Sequence, residues 1–555
     1  MMKKRLSILL VVALMAVLVT ACGGNQEGKV EKDSKNKQEV AKEVSEQDKY
    51  GGVFQGRVKA DPPTLDPAMA TDTTSSRVIR NIFDGLVQFD KDLNVIPAIA
   101  KSWNISEDSL VWTFNLRKGV KFHNGREVKA DDFVYTFTRI LNSKTKSPRT
   151  WLFEGVKGAK EFMEGKADKV TGLKVLDDYT FQVTLAEPFT PFLSVLAMEN
   201  AYVVPREEVE KYGEEFAQYP VGAGPFKFVE WKHDDKVVLE KNEDYYVEGR
   251  PYLDKVVYRI IPEGSSAFAE YEQGNVYQNV DDDLPAGQIT RIMDPNGDFA
   301  VDFKSIPRLG TFYIGFNTQK EPFNNKKVRQ AINYAVNRKV LAAVVMNGVV
   351  KPANGILPPT MPGYNPDLEG YEYNLEKAKK LLAEAGYKDG LPGQFELAYN
   401  TDKKNQRIVE AIQSNLKQIG VNVRLINMDW GTYIKKVDNG ETQMYRLAWI
   451  ADYPDPDNFL YVLFHSKNAG PGGNGAFYKN SEVDQMLDKA RSMKPGKDRI
   501  ALYQKIEKQI VEDAPWIPVY YYTAPILVKP FVNNYVFTAQ SALPLTNVWI
   551  DPNHR

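Results

Sequence analysis

Only one cysteine, Cys22, stands in 555 residues. The folded part of the chain therefore holds no intrachain disulfide, and no cysteine-based zinc or iron–sulfur site can be built in it. Histidine is nearly as scarce. His123, His233, His465 and His554 all lie more than four residues from one another, so no HExxH zinc helix exists. There is no GxSxG elbow and no GxxxxGK[ST] phosphate loop. Neither charge dominates: 71 basic residues face 72 acidic ones, a net charge of -1. That balance gives no footprint for nucleic acid or for an anionic surface as the main partner. After residue 19 no apolar run is long enough to span a bilayer.

Two patterns that could carry chemistry do not fit their templates. Gly470-Pro471-Gly472-Gly473-Asn474-Gly475 matches GxGxxG, but it leaves a polar loop, contains a proline and opens no helix, so it reads as a loop. Asp452, Asp455 and Asp457 lack the spacing of a calcium loop. No catalytic constellation, metal site or cofactor is expected, and the chain reads as a binder rather than an enzyme.

What the sequence does hold begins at its first residues. Met1-Met2-Lys3-Lys4-Arg5 is cationic, and Leu6–Val19 is apolar except for Ser7. These are the dimensions of a secretory h-region rather than of a permanent span. Val19-Thr20-Ala21-Cys22-Gly23 then resembles a bacterial lipobox, cut before Cys22, whose thiol carries lipid. Residues 1–21 are expected to be a lipoprotein signal peptide, with the mature protein tied to the outer face of the cell membrane. From Gly23 to Asp48, twelve of 26 residues are charged and none is aromatic. Such a stretch cannot bury enough surface to order itself, so 22–49 is read as the lipidated cysteine and a tether.

The body should start near Tyr50, and at this length it exceeds one domain. Strands are expected at 51–58, 111–116, 395–399, 421–427, 444–450 and 517–528, with a hairpin at 173–185 turning at Asp177-Asp178. Helices are expected at 75–84, 130–141, 326–347, 375–385, 405–419, 481–493 and 498–511. The run 395–427 has the order of a βαβ unit.

Two passages then point to a family. Ala100–Phe122 reads AKSWNISEDSLVWTFNLRKGVKF. It resembles the signature segment of the family 5 bacterial extracellular solute-binding proteins, the oligopeptide-, dipeptide- and nickel-binding components of ABC importers. Asp61-Pro62-Pro63-Thr64-Leu65-Asp66-Pro67, Val221–Phe226 and Val328–Ile332 follow in family order. The resemblance implies an α/β, two-lobed periplasmic-binding-protein type II fold with an extra domain, closing about a hinge. Lobe I is expected at 50–83, 210–309 and 523–555, the extra domain at 84–209 and lobe II at 310–522.

The second passage is Arg446-Leu447-Ala448-Trp449-Ile450-Ala451-Asp452-Tyr453-Pro454. It resembles the strand and loop with which oligopeptide binders hold their ligand. The resemblance puts the partner of a peptide's α-ammonium at Asp452 and the backbone that pairs with the peptide at Trp449, Ile450 and Ala451. It puts pocket residues at Arg446, Trp430 and Tyr522, and a facing segment at Thr71, Asp72 and Thr73. Blander roles stay open: Asp452 as a turn residue, the tryptophans as core, Arg446 as the partner of a structural carboxylate. Some oligopeptide binders carry an acidic residue where Thr71 aligns; either Asp72 replaces it or that contact is missing here. The implied partners are a peptide and the permease subunits of an ABC transporter, with the protein acting as a monomer. The alternative is a binder of the same fold for a nickel complex, haem or an oligosaccharide.

Overall fold

Three sheets of four or more strands organise the chain, whose computed structural model describes residues 44–280 and 284–555. The first is four-stranded, in the order Val53–Val58, Lys255–Ile260, Lys236–Lys241, Phe226–Lys232. Its first pair is parallel and the rest antiparallel. The second sheet is antiparallel, in the order Ala100–Ile105, Val111–Leu116, Thr180–Thr184, Leu173–Asp177. Val111–Leu116 alternates between half-buried and buried residues, as a strand with one face on a core must. Helix Ala130–Leu141 lays Phe133 and Phe137 on that face against Phe114, Phe153 and Phe181, all fully buried. Each such ring contributes about 1.5–3 kcal/mol by burial, and the Phe137 and Phe153 rings stack at 4.1 Å.

The third sheet has seven strands. Its main path runs Gln278–Val280, Trp516–Val528, Phe303–Phe316, Met444–Ile450, Phe395–Asn400, Val423–Met428. Phe395–Asn400 and Val423–Met428 are parallel and joined by helix Lys403–Lys417, the expected βαβ unit. Two strands of this sheet are unusually long and run from one hydrophobic core to another. Phe303–Phe316 pairs with Trp516–Val528 from Phe303↔Leu527 to Gly315↔Trp516. At one end Ala524, Ile526 and Val528 pack with Phe54 and Phe226; at the other, Phe312, Ile314, Ile517 and Val519 pack with Val328 and Ile412. Between these ends the register slips from Pro307↔Thr523 to Thr311↔Tyr521. Proline gives no N–H to a ladder, so the pairing is interrupted between the two cores.

Two expectations need correction. The helix expected over 326–347 stops at Ala335, and Val336 is extended. A three-residue helical turn Arg338–Val340 and a π turn Leu341–Val345 follow. The cause is Arg338, which turns inward and donates to the carbonyls of Pro518, Asn333 and Tyr371. A buried guanidinium needs those acceptors, and breaking the helix frees one of them. Val340 and Val344, which a continuous helix would place on the same side as Val336, are exposed instead. The tether also ends earlier than Lys49. Glu46 accepts from the Tyr252 hydroxyl and lies 3.5 Å from Arg250, and Gln47–Lys49 forms a short helix. The signal segment, Cys22 and the tether up to residue 43 lie outside the described residues.

Candidate functional site

The site grows from the end of strand Met444–Ile450. On one side this strand pairs with Phe303–Phe316, from Gly310↔Ile450 to Phe316↔Met444. On the other, Phe395–Asn400 pairs with it only at Met444 and Tyr445, leaving the edge open from Arg446 onward. The amide of Ala451 donates to Leu309 O at 2.8 Å. By the alternation of an antiparallel ladder, Ala451, Trp449 and Leu447 turn their backbones toward Phe303–Phe316. Ile450, Ala448 and Arg446 turn theirs toward the open side. Of the run Trp449–Ala451, Ile450 alone thus offers backbone groups there, and Ala448 joins it. The Arg446 carbonyl is taken by the Tyr433 hydroxyl.

Asp452 follows immediately, held by its own backbone. Its amide donates to Asn458 Oδ1 at 3.1 Å, and its carbonyl accepts from Gln540 Nε2 at 2.7 Å. Trp449 Nε1 donates to the same Asn458 oxygen at 2.8 Å, which locks the indole to the strand end. The Asp452 carboxylate is 36 % exposed, with Arg149 Nη1 4.0 Å away. Burial pushes its pKa above the ordinary aspartate value, while Arg149 and Asn458 pull it back. The neighbouring acids are committed to structure. Asp455 holds Arg499 through two bonds of 2.7 and 2.8 Å. Asp457 is buried against the Tyr453 hydroxyl at 2.9 Å and Arg491 at 3.6 Å. Asp452 is left as the carboxylate that still faces open space.

The segment before helix Thr73–Ile82 lies opposite. Asp72 is its N-cap: Oδ1 accepts from the amides of Thr74 and Ser75, both at 2.9 Å. Its other oxygen is buried with no hydrogen-bond partner among the described residues. Thr71 and Thr73 are exposed. Arg149 spans the gap, its Nε on the Ala70 carbonyl at 2.9 Å while Nη1 faces Asp452.

The remaining pocket residues divide. Arg446 donates to Asn400 Oδ1 at 3.1 Å and lies over the Phe312 ring at 4.6 Å. No carboxylate among the described residues pairs with it, and its Nε is buried without a hydrogen-bond partner there. Trp430 opens helix Trp430–Asp438 and is 54 % exposed, so it is not core. Tyr522 stands inside the register slip. A Cβ placed on Gly310 would come within 2.2 Å of Ile450 Cδ1 and 3.1 Å of Tyr522 Cδ2, so Ile450 and Tyr522 converge over that glycine. Beside Asp452 opens a cavity of about 1060 Å³, lined among others by Trp151, Phe189, Trp449, Tyr461 and Arg491. Among the described residues no group of three or more His, Cys, Asp or Glu could hold a metal ion, and no helix is long and apolar enough to cross a membrane.

Sequence reasoning missed Arg149, Asn458 and Gln540. Arg149 sits in a loop with Lys144 and Lys146, where it looks like one more solvated cation; only folding brings it to Asp452.

The family model of the bacterial extracellular solute-binding proteins, family 5 (middle region), matches residues 94–471. The chain belongs to that family. The periplasmic oligopeptide-binding protein OppA of Escherichia coli K12 is 33% identical over 483 residues, covering 85% of this chain and 87% of its own. Heme-binding protein A of Haemophilus influenzae is 34% identical over 503 residues, covering 86% and 88%. The unliganded open form of MppA, a murein tripeptide binding protein, superposes with a TM-score of 0.79 at 30% identity, covering 90% of this chain and 97% of that one. DppA from Helicobacter pylori in complex with the peptide STSA gives 0.73 at 34% identity, covering 91% and 99%. The fold is thus the two-lobed α/β periplasmic-binding-protein type II fold with the extra domain of family 5, and the relatives are solute-binding transport proteins.

Proposed function

We propose that this protein captures peptides outside the cytoplasm, without catalysis, and delivers them to the permease subunits of an ABC importer. The observation that carries the reading is the open backbone edge at Ala448 and Ile450 running into the half-exposed carboxylate of Asp452. An edge of this kind grips what all peptides share, their backbone, by strand addition. A carboxylate at its end fixes register by pairing with the α-ammonium, and Arg446, which has no carboxylate partner among the described residues, offers a seat for an anionic group further along. The cavity beside Asp452 has room for side chains and water. Thr71, Asp72 and Thr73 face the ligand from the other lobe, with Asp72 working as a helix cap rather than as the ammonium partner.

We assign lobe I to 50–83, 210–309 and 523–555, the extra domain to 84–209 and lobe II to 310–522, with closure about the slipped register at Pro307–Thr311. The anchor is a lipid on Cys22 at the outer face of the membrane, and the working unit is a monomer.

The test is native mass spectrometry of the protein purified from its source. Co-purified peptides are expected as a family of masses released on denaturation. A second reading, haem as the ligand, draws on the 34% identical heme-binding relative. It predicts instead a single haem mass and a Soret band.

A further inference from the structure

We propose that Arg149 and Asp452 form a two-point clamp for an ammonium group with a carboxylate beside it, so that this protein prefers peptides whose first residue is acidic. The inference rests on the peptide reading above and narrows it. Arg149 is a fixed cation rather than a mobile surface one. Its side chain is 16 % exposed, its Nε holds Ala70 O, and its amide donates to Ser147 Oγ at 3.1 Å. Ser147 is itself tied to Ala68 O, and Asn200 secures the same segment through Pro67 O and Ala70 O. The guanidinium edge that remains faces Asp452 at 4.0 Å, beyond hydrogen-bonding reach but inside the range where charges act strongly on each other.

The charge count shows what the empty site wants. Glu199, which also acts on Asp452, is balanced by Arg80 at 2.9 Å. Asp452 is balanced by Arg149. These four side chains are neutral together before any ligand arrives; Glu154, Glu187, Lys467, Asp488 and Arg491 line the cavity beside them. A peptide bringing only its ammonium to Asp452 leaves one excess positive charge in a closed, poorly solvated place, with Arg149 as its near neighbour, and uncompensated charge there is costly. A side-chain carboxylate on the first residue cancels the excess. Bond lengths place it roughly 3–5 Å from its own ammonium, a span that fits the 4.0 Å between Arg149 and Asp452.

The test is calorimetry at pH 7.5 with Asp-Ala-Ala and Asn-Ala-Ala, and with Ala-Ala-Asp and Ala-Ala-Asn as the pair that moves the same charge away from the N-terminus. Wild-type protein should prefer Asp-Ala-Ala over Asn-Ala-Ala by about 10- to 100-fold, the scale of a hydrogen bond to a charged group. The second pair should differ much less. Arg149→Gln should abolish the first preference by weakening Asp-Ala-Ala and strengthening Asn-Ala-Ala, whose ammonium no longer meets an excess positive charge, and Arg149→Lys should retain part of it, because the cation survives without the fixed fork. Equal binding of Asp-Ala-Ala and Asn-Ala-Ala by wild type overturns the clamp and leaves the peptide reading standing. So does an equal loss of both in a folded Arg149→Gln, which would make Arg149 a support for the 66–72 segment alone. If none of the four peptides binds, the peptide reading fails and the clamp with it.

Discussion

Replacing Asp452 by Asn isolates the ionic contact that we propose fixes a peptide's register. An ammonium about 3 Å from the carboxylate, at the effective dielectric of about 20 that suits half-buried pairs, is attracted by about 5–6 kcal/mol. The carboxylate gives up hydration on closure, having been 36 % exposed beforehand, and that cost returns roughly half of the attraction. The substitution should therefore cost about 2–4 kcal/mol, a 30- to 1,000-fold loss of affinity. The fold should hold, because Asp452 is tied into the structure by its amide and carbonyl rather than by its carboxylate. An N-acetylated peptide lacks the charge and should bind wild-type protein about as poorly, with little further loss on the variant, since both changes remove one interaction. Affinity of the free peptide should also fall on acidification, starting above the pH where an ordinary aspartate is protonated, because burial raises this carboxyl's pKa. The assay is a calorimetric cycle of two proteins against free and acetylated forms of one peptide. Additive losses would refute the reasoning and return Asp452 to the role of a turn residue.

Glu507 is buried with no cation paired to it among the described residues, its Oε1 held by the amides of Ile356 and Leu357, and burial pushes its pKa from 4.5 up to about 7. The folded state then takes up a proton that the unfolded state does not hold between those values, so stability should rise as the pH falls from about 8 to 5. Glu507→Gln should remove a cost of about 3 kcal/mol at pH 8 and change little at pH 5. Urea titrations at both pH values, read as the difference between variant and wild type, separate it from Asp84, which is pushed to about 6. Cys22→Ser should release the protein into the medium or leave an uncleaved precursor; normal processing and membrane retention would count against the lipid anchor. Peptides incubated with the protein should come back intact by mass spectrometry, whereas steady turnover would end the transport reading.

Local elements were legible wherever a single face decided them. Helix Ala130–Leu141 and strand Met444–Ile450 fall where periodicity puts them, and Asn374 and Gly386 bracket helix Leu375–Glu384 as cap chemistry dictates. The helix over 326–347 failed because a spacing rule sees Val336, Val340 and Val344 but not the distant carbonyl of Pro518 that draws Arg338 inward. The site divided in the same way. Its strand was legible because its residues are contiguous, and Asp452 was singled out by the family motif that runs on from it. Arg149 and Gln540 come from distant stretches and meet Asp452 only through tertiary packing, a fact no local pattern encodes, whereas Asn458 lies six residues past Asp452 and was missed because its side chain turns back onto the strand end. The choice of Ala448 and Ile450 over Trp449 and Ala451 depended on one hydrogen bond, Ala451 to Leu309. Register of that kind is set by the partner strand.

That register also determines what closure demands. Folding the lobes together over an empty site would bury the amides and carbonyls of Ala448 and Ile450 with no partner, at about 1–3 kcal/mol for each group left unsatisfied. Asp452 would lose water as well. A peptide lying along the edge satisfies the backbone groups whatever its sequence. Four such groups supply on the order of the 5.5 kcal/mol that moves a two-state equilibrium from 1:99 to 99:1. Closure should then depend on the backbone contacts, while Asp452 sets affinity and register. Small-angle scattering should show the radius of gyration shrinking when wild-type protein is saturated with a peptide. Asp452→Asn should reach the same contracted value, only at a higher peptide concentration. A variant that stays expanded at saturation would make the ionic pair itself the trigger for closure, and an unchanged radius in wild type would rule out closure about Pro307–Thr311 altogether.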